Sequence, residues 1–271
     1  MDRVSLPAPA KLNLRLLVGP LGTDGYHPVR SLMVALDGLE DTVTLARAQT
    51  RSVRCAEADG PDNLAWRALD ALERRAGRPL PCAVTIDKRI PARAGLGGGS
   101  SDAAATLVGA NRLFGLGLGA AALEAVGAEV GSDVPFFVRG GAQWADGRGE
   151  RLAHAPSPTF AAVVVVPPFG LATPDVYGAF DRLPPPAPDD GTPPPAAMPA
   201  LAGWVRNDLW PAALALRPEL GERARLLREQ GAAAVLLCGS GSALAGLFAT
   251  HEEAESRAAA SGAVAVVTPR A

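Results

Sequence analysis

Three consecutive glycines, Gly97 to Gly99, sit in the segment Pro91-Ala-Arg-Ala-Gly-Leu-Gly-Gly-Gly-Ser-Ser101. An apolar run, Ala83 to Ile86, precedes this segment, and an alanine-rich stretch, Ser101 to Phe114, follows it and is closed by Gly115. These residues predict the order strand, glycine loop, helix. Glycines strip away side chains where a ligand approaches the backbone. The amides at a helix start, with the positive end of the helix dipole, attract phosphate, and Ser100 and Ser101 add hydroxyls for phosphate oxygen or magnesium. The loop is no Walker A motif, because no lysine precedes a hydroxyl residue. It also fails G-x-G-x-x-G, because Gly95 and Gly97 are followed by Ser100 at the third position. Read alone, the run is equally a flexible strand-to-helix connection.

The rest of the pattern is mixed α+β. Leu12, Leu14 and Leu16 alternate with Lys11, Asn13 and Arg15, the period of a half-buried strand whose polar face, on the pattern alone, is expected to be solvated. GTDGYHP (Gly22 to Pro28) reads as a loop, with Val29 to Leu36 and Asp41 to Leu45 as two further strands. Asp62 precedes a helix, NLAWRALDALERRAG, stopped by Gly77. A second helix runs from about Ala120 to Val130, and Asp133 with Pro135 reads as the start of another. After about residue 150 the pattern restarts with Val163 to Val166, so two domains, 1–150 and 151–271, are expected. LPPPAPDDGTPPPAAMP (Leu183 to Pro199) has too few N–H groups for a ladder and reads as a semi-rigid exposed loop.

The chain has 26 basic and 28 acidic residues among 271, a net charge of −2, which lacks the basic surplus that phosphate-backbone binding needs. Nucleic acid is not an expected partner. The longest apolar run, Phe160 to Val166, is far short of the roughly 20 residues of a membrane span. The opening MDRVSLPAPAK has no apolar core of a secretory signal, so a cytoplasmic protein is expected. Cys55, Cys82 and Cys238 have no paired spacing, and His27, His154 and His251 form no ligand cluster; buried thiols and no resident metal centre are expected.

The glycine segment resembles the signature loop of the GHMP small-molecule kinases. The resemblance extends through AKLNL (Ala10 to Leu14), DGYH (Asp24 to His27), DNL (Asp62 to Leu64), GSDVPFF (Gly131 to Phe137) and CGSGS (Cys238 to Ser242), in that family's order and across nearly the whole chain. DGYH, GGGSSDAA and G-x-DVPFF point to the branch whose acceptor is cytidine diphosphate methylerythritol. The implied fold is two α+β domains with the active cleft between them, the first related to the second domain of ribosomal protein S5. The implied chemistry is phosphoryl transfer from ATP, with Mg²⁺ carried on the nucleotide, to a small-molecule substrate, by a monomer or weak homodimer.

By this resemblance Lys11 and Asp133 are the catalytic pair. ATP lies along Pro91, Ala92, Arg93, Ala94, Gly95, Leu96, Gly97, Gly98, Gly99, Ser100 and Ser101. Asn13, Tyr26, His27 and Tyr177 meet the acceptor, the aromatic rings by stacking on cytosine. Asn63 and Lys88 fall near the family's adenine contacts, although a helix cap and a surface lysine explain them equally well. The chain departs from the pattern in three places. Pro20 to Thr23 stand where members carry an arginine before DGYH, Cys238 replaces a common serine, and Ala245 replaces a common aromatic.

Overall fold

The computed structural model describes residues 2–270 and divides into two compact units. The first comprises Met1–Ala10, Glu40–Ala92 and Gly97–Gly140; the second comprises Lys11–Leu39, Arg93–Leu96 and Gly141–Ala271. A single cut at residue 150 therefore does not describe them. The reason lies in two long strands, β1 (Arg3–Val18) and β2 (Val29–Arg47), each of which supplies residues to both units.

In the first unit, β3 (Ser52–Cys55) runs parallel to β4 (Cys82–Asp87), and β4 runs antiparallel to the end of β2, Thr42 facing Asp87 and Arg47 facing Cys82. The other elements are α1 (Leu64–Ala76), α2 (Gly98–Phe114), α3 (Ala120–Ala128) and α4 (Val134–Arg139). Leu45, Val84 and Ile86 of the sheet share a core with Ala68, Leu69 and Leu72 of α1 and Leu107 and Ala110 of α2. Small residues let α2 approach closely: a Cβ at Gly109 would stand 2.5 Å from Leu45 Cδ1. The N-cap of α1 is Asn63, whose Oδ1 accepts from Ala65 N at 2.9 Å, rather than Asp62. The second predicted helix stops two residues early, at Ala128.

In the second unit, β5 (Ala142–Gly147) pairs with the start of β2 and forms a hairpin with β6 (Arg151–His154). Four antiparallel strands follow the order β11-β7-β10-β9: β7 (Ala161–Val165), β9 (Ala234–Leu237), β10 (Leu244–Phe248) and β11 (Ala265–Pro269). Between β7 and β9 come α5 (Thr173–Phe180), α6 (Ala200–Trp204), the short β8 (Arg206–Asn207), α7 (Trp210–Leu216) and α8 (Glu219–Glu229); α9 (His251–Ser261) precedes β11 and opens on a Thr250–Glu253 capping box. Val163, Val165 and Leu244 form a core with Val176, Leu220 and Leu227. β8 lies parallel to β1, Arg15 opposite Arg206.

The two strands predicted over 29–36 and 41–45 are one strand of 19 residues. Its continuity depends on Gly38, which has φ +95° and lies against β11, where a Cβ would come within 2.4 Å of Val266 O. Cys82 and Cys238 are buried as expected, whereas Cys55 is half-buried. No described helix is long and apolar enough to cross a membrane.

Gly38→Ala adds left-handed strain of about 1–3 kcal/mol to a backbone collision. We expect urea denaturation to show an unfolding free energy lower by about 2 kcal/mol or more; an unchanged midpoint would contradict this account of β2.

Candidate active site

Within the second unit, alternation along β1 turns Leu12, Leu14 and Leu16 to one side and Lys11, Asn13 and Arg15 to the other. The polar face is not solvated, as the pattern alone had suggested: Lys11 and Asn13 are each 5% exposed and Arg15 3%. Buried polar groups require partners. Lys11 Nζ donates to Asn13 Oδ1 at 2.5 Å, and Asn13 Nδ2 donates to Ser31 Oγ at 2.8 Å.

Two glycine turns close around this pair. Lys11 N donates to Leu96 O at 3.0 Å, which fixes residues 94–96 of the glycine loop to β1, and Ala243 N donates to Ala94 O at 3.1 Å. At Gly95, φ is +77° and a Cβ would stand 1.8 Å from Cys238 O, so only glycine fits. A Cβ at Gly239 would lie 3.4 Å from Lys11 Nζ and 3.6 Å from Asn13 Oδ1. Asn207 holds the late turn in place, its Nδ2 donating to Leu237 O and Gly239 O at 2.8 and 2.7 Å. Three segments far apart in sequence, those around Lys11, Gly95 and Gly239, thus converge. Cys238, enclosed here, has its thiol pushed up to about 12 by burial, which keeps it an inert packing residue.

Tyr26, His27 and Tyr177 also belong to this unit. His27 is buried; its Nδ1 lies 2.9 Å from Gly19 O and its Nε2 3.2 Å from Asp181 Oδ1. Both ring nitrogens are engaged by the protein, and the ring packs 5.2 Å from that of Tyr177 and 5.7 Å from that of Phe180. Tyr26 is exposed, with the Arg148 guanidinium 3.8 Å above its ring and Arg148 Nη2 donating to Asp24 Oδ2 at 2.9 Å. The hydrogen bond from Arg148 is the main influence holding the Asp24 carboxyl below its ordinary range. Sequence reasoning missed Arg148, although the absent arginine before DGYH was a signal to look for a cation elsewhere.

In the first unit, α2 begins on three free-standing small residues. Gly97 occupies the N-cap position without a side chain to cap it, and Ser101 N donates to Gly97 O at 2.9 Å. Ser101 Oγ is buried with no hydrogen-bond partner. Ser100 lies beside the GSDVPFF turn, its Oγ 3.9 Å from the Cβ position of Gly131. Asp133 occupies the N-cap position of α4 but makes no capping bond to that helix. The N-cap reading of this residue therefore holds in position and not in side-chain role.

Lys88 is no surface lysine. Its side chain is only 9% exposed, and its Nζ donates to Asp41 Oδ2 at 2.5 Å and Asp102 Oδ2 at 2.8 Å, 3.2 Å from the Cβ position of Gly98. Asp41 Oδ1 also accepts from Arg89 N and Ile90 N at 2.5 and 2.8 Å. One ammonium between two buried carboxylates leaves a surplus negative charge. Asp41 accepts from three donors, whereas Asp102 Oδ1 has no partner. Burial accordingly pushes the Asp102 carboxyl up to about 7 against the opposing pull of Lys88. Among the described residues no group of three or more His, Cys, Asp or Glu is placed to hold a metal ion.

Comparison with known proteins gives this geometry its family. The model of the GHMP kinases N terminal domain matches residues 63–141, and that of GHMP kinases C terminal matches 198–263. A 4-diphosphocytidyl-2-C-methyl-D-erythritol kinase of Anaeromyxobacter sp. (strain K) is 42% identical over 97% of this chain and 85% of its own. The chain belongs to the GHMP kinases, among the 4-diphosphocytidyl-2-C-methyl-D-erythritol kinases. The kinase of that name from Moorella thermoacetica is 40% identical over 94% of this chain and 93% of its own. A crystal structure of 4-(cytidine 5'-diphospho)-2C-methyl-D-erythritol kinase superposes with a TM-score of 0.83 at 35% identity, covering 99% of this chain and 100% of the other. A homoserine kinase from Cytophaga hutchinsonii, at a TM-score of 0.71 and 16% identity, covering 96% of this chain and 89% of its own, shares the fold. This GHMP kinase is an ATP-dependent enzyme.

A carboxyl raised in the folded state stabilises fully below its unfolded value near 4 and loses that contribution as pH rises through about 7. Asp102→Asn removes the titrating group. The variant's stability curve between pH 5 and 7 should be flatter than the wild type's by up to about 1.4 kcal/mol per pH unit, measured by urea unfolding. Parallel curves would show that Asp102 is ionised throughout.

Proposed function

We propose that the chain transfers the γ-phosphoryl group of ATP to the 2-hydroxyl of 4-diphosphocytidyl-2-C-methyl-D-erythritol, giving the 2-phosphate and ADP, in the methylerythritol phosphate route to isoprenoid precursors. The observation that carries this reading is 42% identity over 97% of the chain to a kinase of that name, with AKLNL, DGYH and GSDVPFF present in this sequence. Likeness to homoserine and mevalonate kinases at 16% and 12% identity speaks for the fold alone.

In this reading the acceptor oxygen attacks the γ-phosphorus, the bond from that phosphorus to the β,γ-bridging oxygen breaks, and ADP leaves. Phosphoryl transfer of this kind depends on positioning and charge neutralisation. Asp133, at the N-terminal end of α4, takes the hydroxyl proton. Lys11 stabilises charge on the reacting oxygens, and Asn13 orients the acceptor. ATP lies along Pro91 to Ser101, its phosphates at the start of α2, where the unpartnered Ser101 hydroxyl and the amides of Gly98 and Gly99 suit an anion and the Mg²⁺ that arrives with it.

Cytosine stacks on Tyr26, which Arg148 backs from the other side of its ring, and Tyr177 provides a second aromatic surface. With both nitrogens of His27 engaged, the base edge is read by the backbone around residues 26–28 rather than by the imidazole. We place the enzyme in the cytoplasm with its nucleotide substrates, as a monomer or weak homodimer that needs neither membrane nor nucleic acid.

ADP release from Mg-ATP should depend on the cytidine compound and show no stimulation by homoserine or mevalonate. Stimulation by either control alone would overturn the acceptor assignment. Asp133→Asn should lower kcat by about 10²–10⁴-fold with ATP and acceptor binding retained, the range expected for loss of a general base. Retained turnover would remove Asp133 from that role. Tyr26→Ala should weaken acceptor binding by about 1–3 kcal/mol, the value of a base–aromatic stack. An acceptor Kd equal to wild type would refute the stack.

A further inference from the structure

The segment from Leu183 to Pro199 contains eight prolines in 17 residues and no regular structure before α6. With so few N–H groups it must be held through its carbonyls and carboxylates. The second unit supplies the donors. Arg15, buried on β1, donates through Nη2 to Asp189 Oδ1 at 2.9 Å and Asp190 Oδ1 at 2.8 Å, and through Nη1 to Trp204 O at 3.0 Å, with its guanidinium 4.8 Å over the Trp204 ring. On the neighbouring strand β8, Arg206 donates to Pro188 O at 3.2 Å and to Ala187 O. Trp204 Nε1 donates to Thr192 O at 3.0 Å.

The dependence is mutual. A buried guanidinium stripped of its carboxylates is costly, and Arg15 Nε already has no hydrogen-bond partner. Asp189 and Asp190 thus hold the loop and also keep Arg15 satisfied.

What the latch holds in place is one side of a cavity of about 690 Å³, lined on the other side by Pro20, His27, Phe180 and Asp181. The proline run from Pro184 to Pro188 and Asp189 complete it. Its size and apolar walls with a few polar groups suit a small organic ligand. Arg15 projects from the same face of β1 as Lys11 and Asn13, two residues beyond Asn13, or about 7 Å along the strand.

We propose that Arg15 is a positioning residue for the acceptor: through Asp189 and Asp190 it fixes residues 184–189 as the far wall of the cavity that His27 lines, next to the Tyr177 ring on which the cytosine stacks, and so shapes the nucleoside side of the acceptor site. This rests on the cytidine reading of the DGYH loop. The latch sets acceptor affinity without touching the reacting atoms, and the proline-rich segment is a specificity element.

The test is the double variant Asp189→Asn/Asp190→Asn, assayed by ADP release with the cytidine compound and by limited proteolysis of 183–199. Breaking two charge-assisted contacts to one arginine should raise the acceptor KM about 5- to 20-fold, leave kcat and the KM for ATP within about twofold of wild type, and speed cleavage in the segment. Asp189→Glu should restore the acceptor KM in part. If the double variant misfolds, Asp190→Asn alone serves, because that carboxylate is 58% exposed. An unchanged acceptor KM would overturn the proposal, whether or not the loop becomes cleavable. A parallel fall in kcat and ATP affinity would reduce Arg15 to a structural role. Wild-type enzyme that ignores the cytidine compound would instead sink the acceptor reading itself.

Discussion

Burial of a lysine, an asparagine and an arginine along one face of β1 is the constraint on which the second unit is organised. A strand apolar on one face and polar on the other normally leaves the polar face in water, because burying it demands a partner for each group. Here each partner recruits a different part of the chain. Asn13 reaches Ser31 on β2, Lys11 binds Leu96 of the glycine loop through its backbone, and Arg15 reaches the proline-rich segment. Apolar side chains at Asn13 and Arg15 would fill the space but lose the ties to Ser31 and to the proline-rich segment.

The first unit solves a related problem at the start of α2. A helix N-terminus left uncapped by side chains exposes amides that a phosphate can satisfy. Ser101 Oγ and Asp102 Oδ1 are buried there without partners, a local cost to stability. Lys88, Asp41 and Asp102 hold the exit of β4 against that helix start. Such concentrations of unsatisfied and shifted groups mark functional sites more often than accidents of packing.

Much of this was legible in the sequence because it is local. The strand, glycine loop and helix around residues 83–114 follow from composition and periodicity within one window, and so does the cap at the start of α1, wrong by one residue. What was not legible is set by distant contacts. Period-two alternation at Leu12 to Leu16 shows that two faces differ, but not that the polar one is covered. Lys88 looked like a surface residue because Asp41, its partner, is 47 positions away. Arg148 meets Asp24 across 124 positions, and Arg15 meets Asp189 across 174. The continuity of β2 was hidden because Gly38 and its polar neighbours interrupt the apolar pattern while the backbone runs on.

The face of β1 that carries Lys11 packs the second unit together, and the proposed chemistry asks of Lys11 a charge that packing alone does not need. Lys11→Met keeps the length and shape of the side chain and removes its charge, so measuring turnover and urea stability on the same preparation separates the two purposes. The account predicts turnover reduced by about 10²-fold or more, with a cooperative unfolding transition and ATP binding both retained. Turnover near the wild-type value in a folded Lys11→Met protein would contradict it, as would a loss of turnover matched by a loss of folded protein.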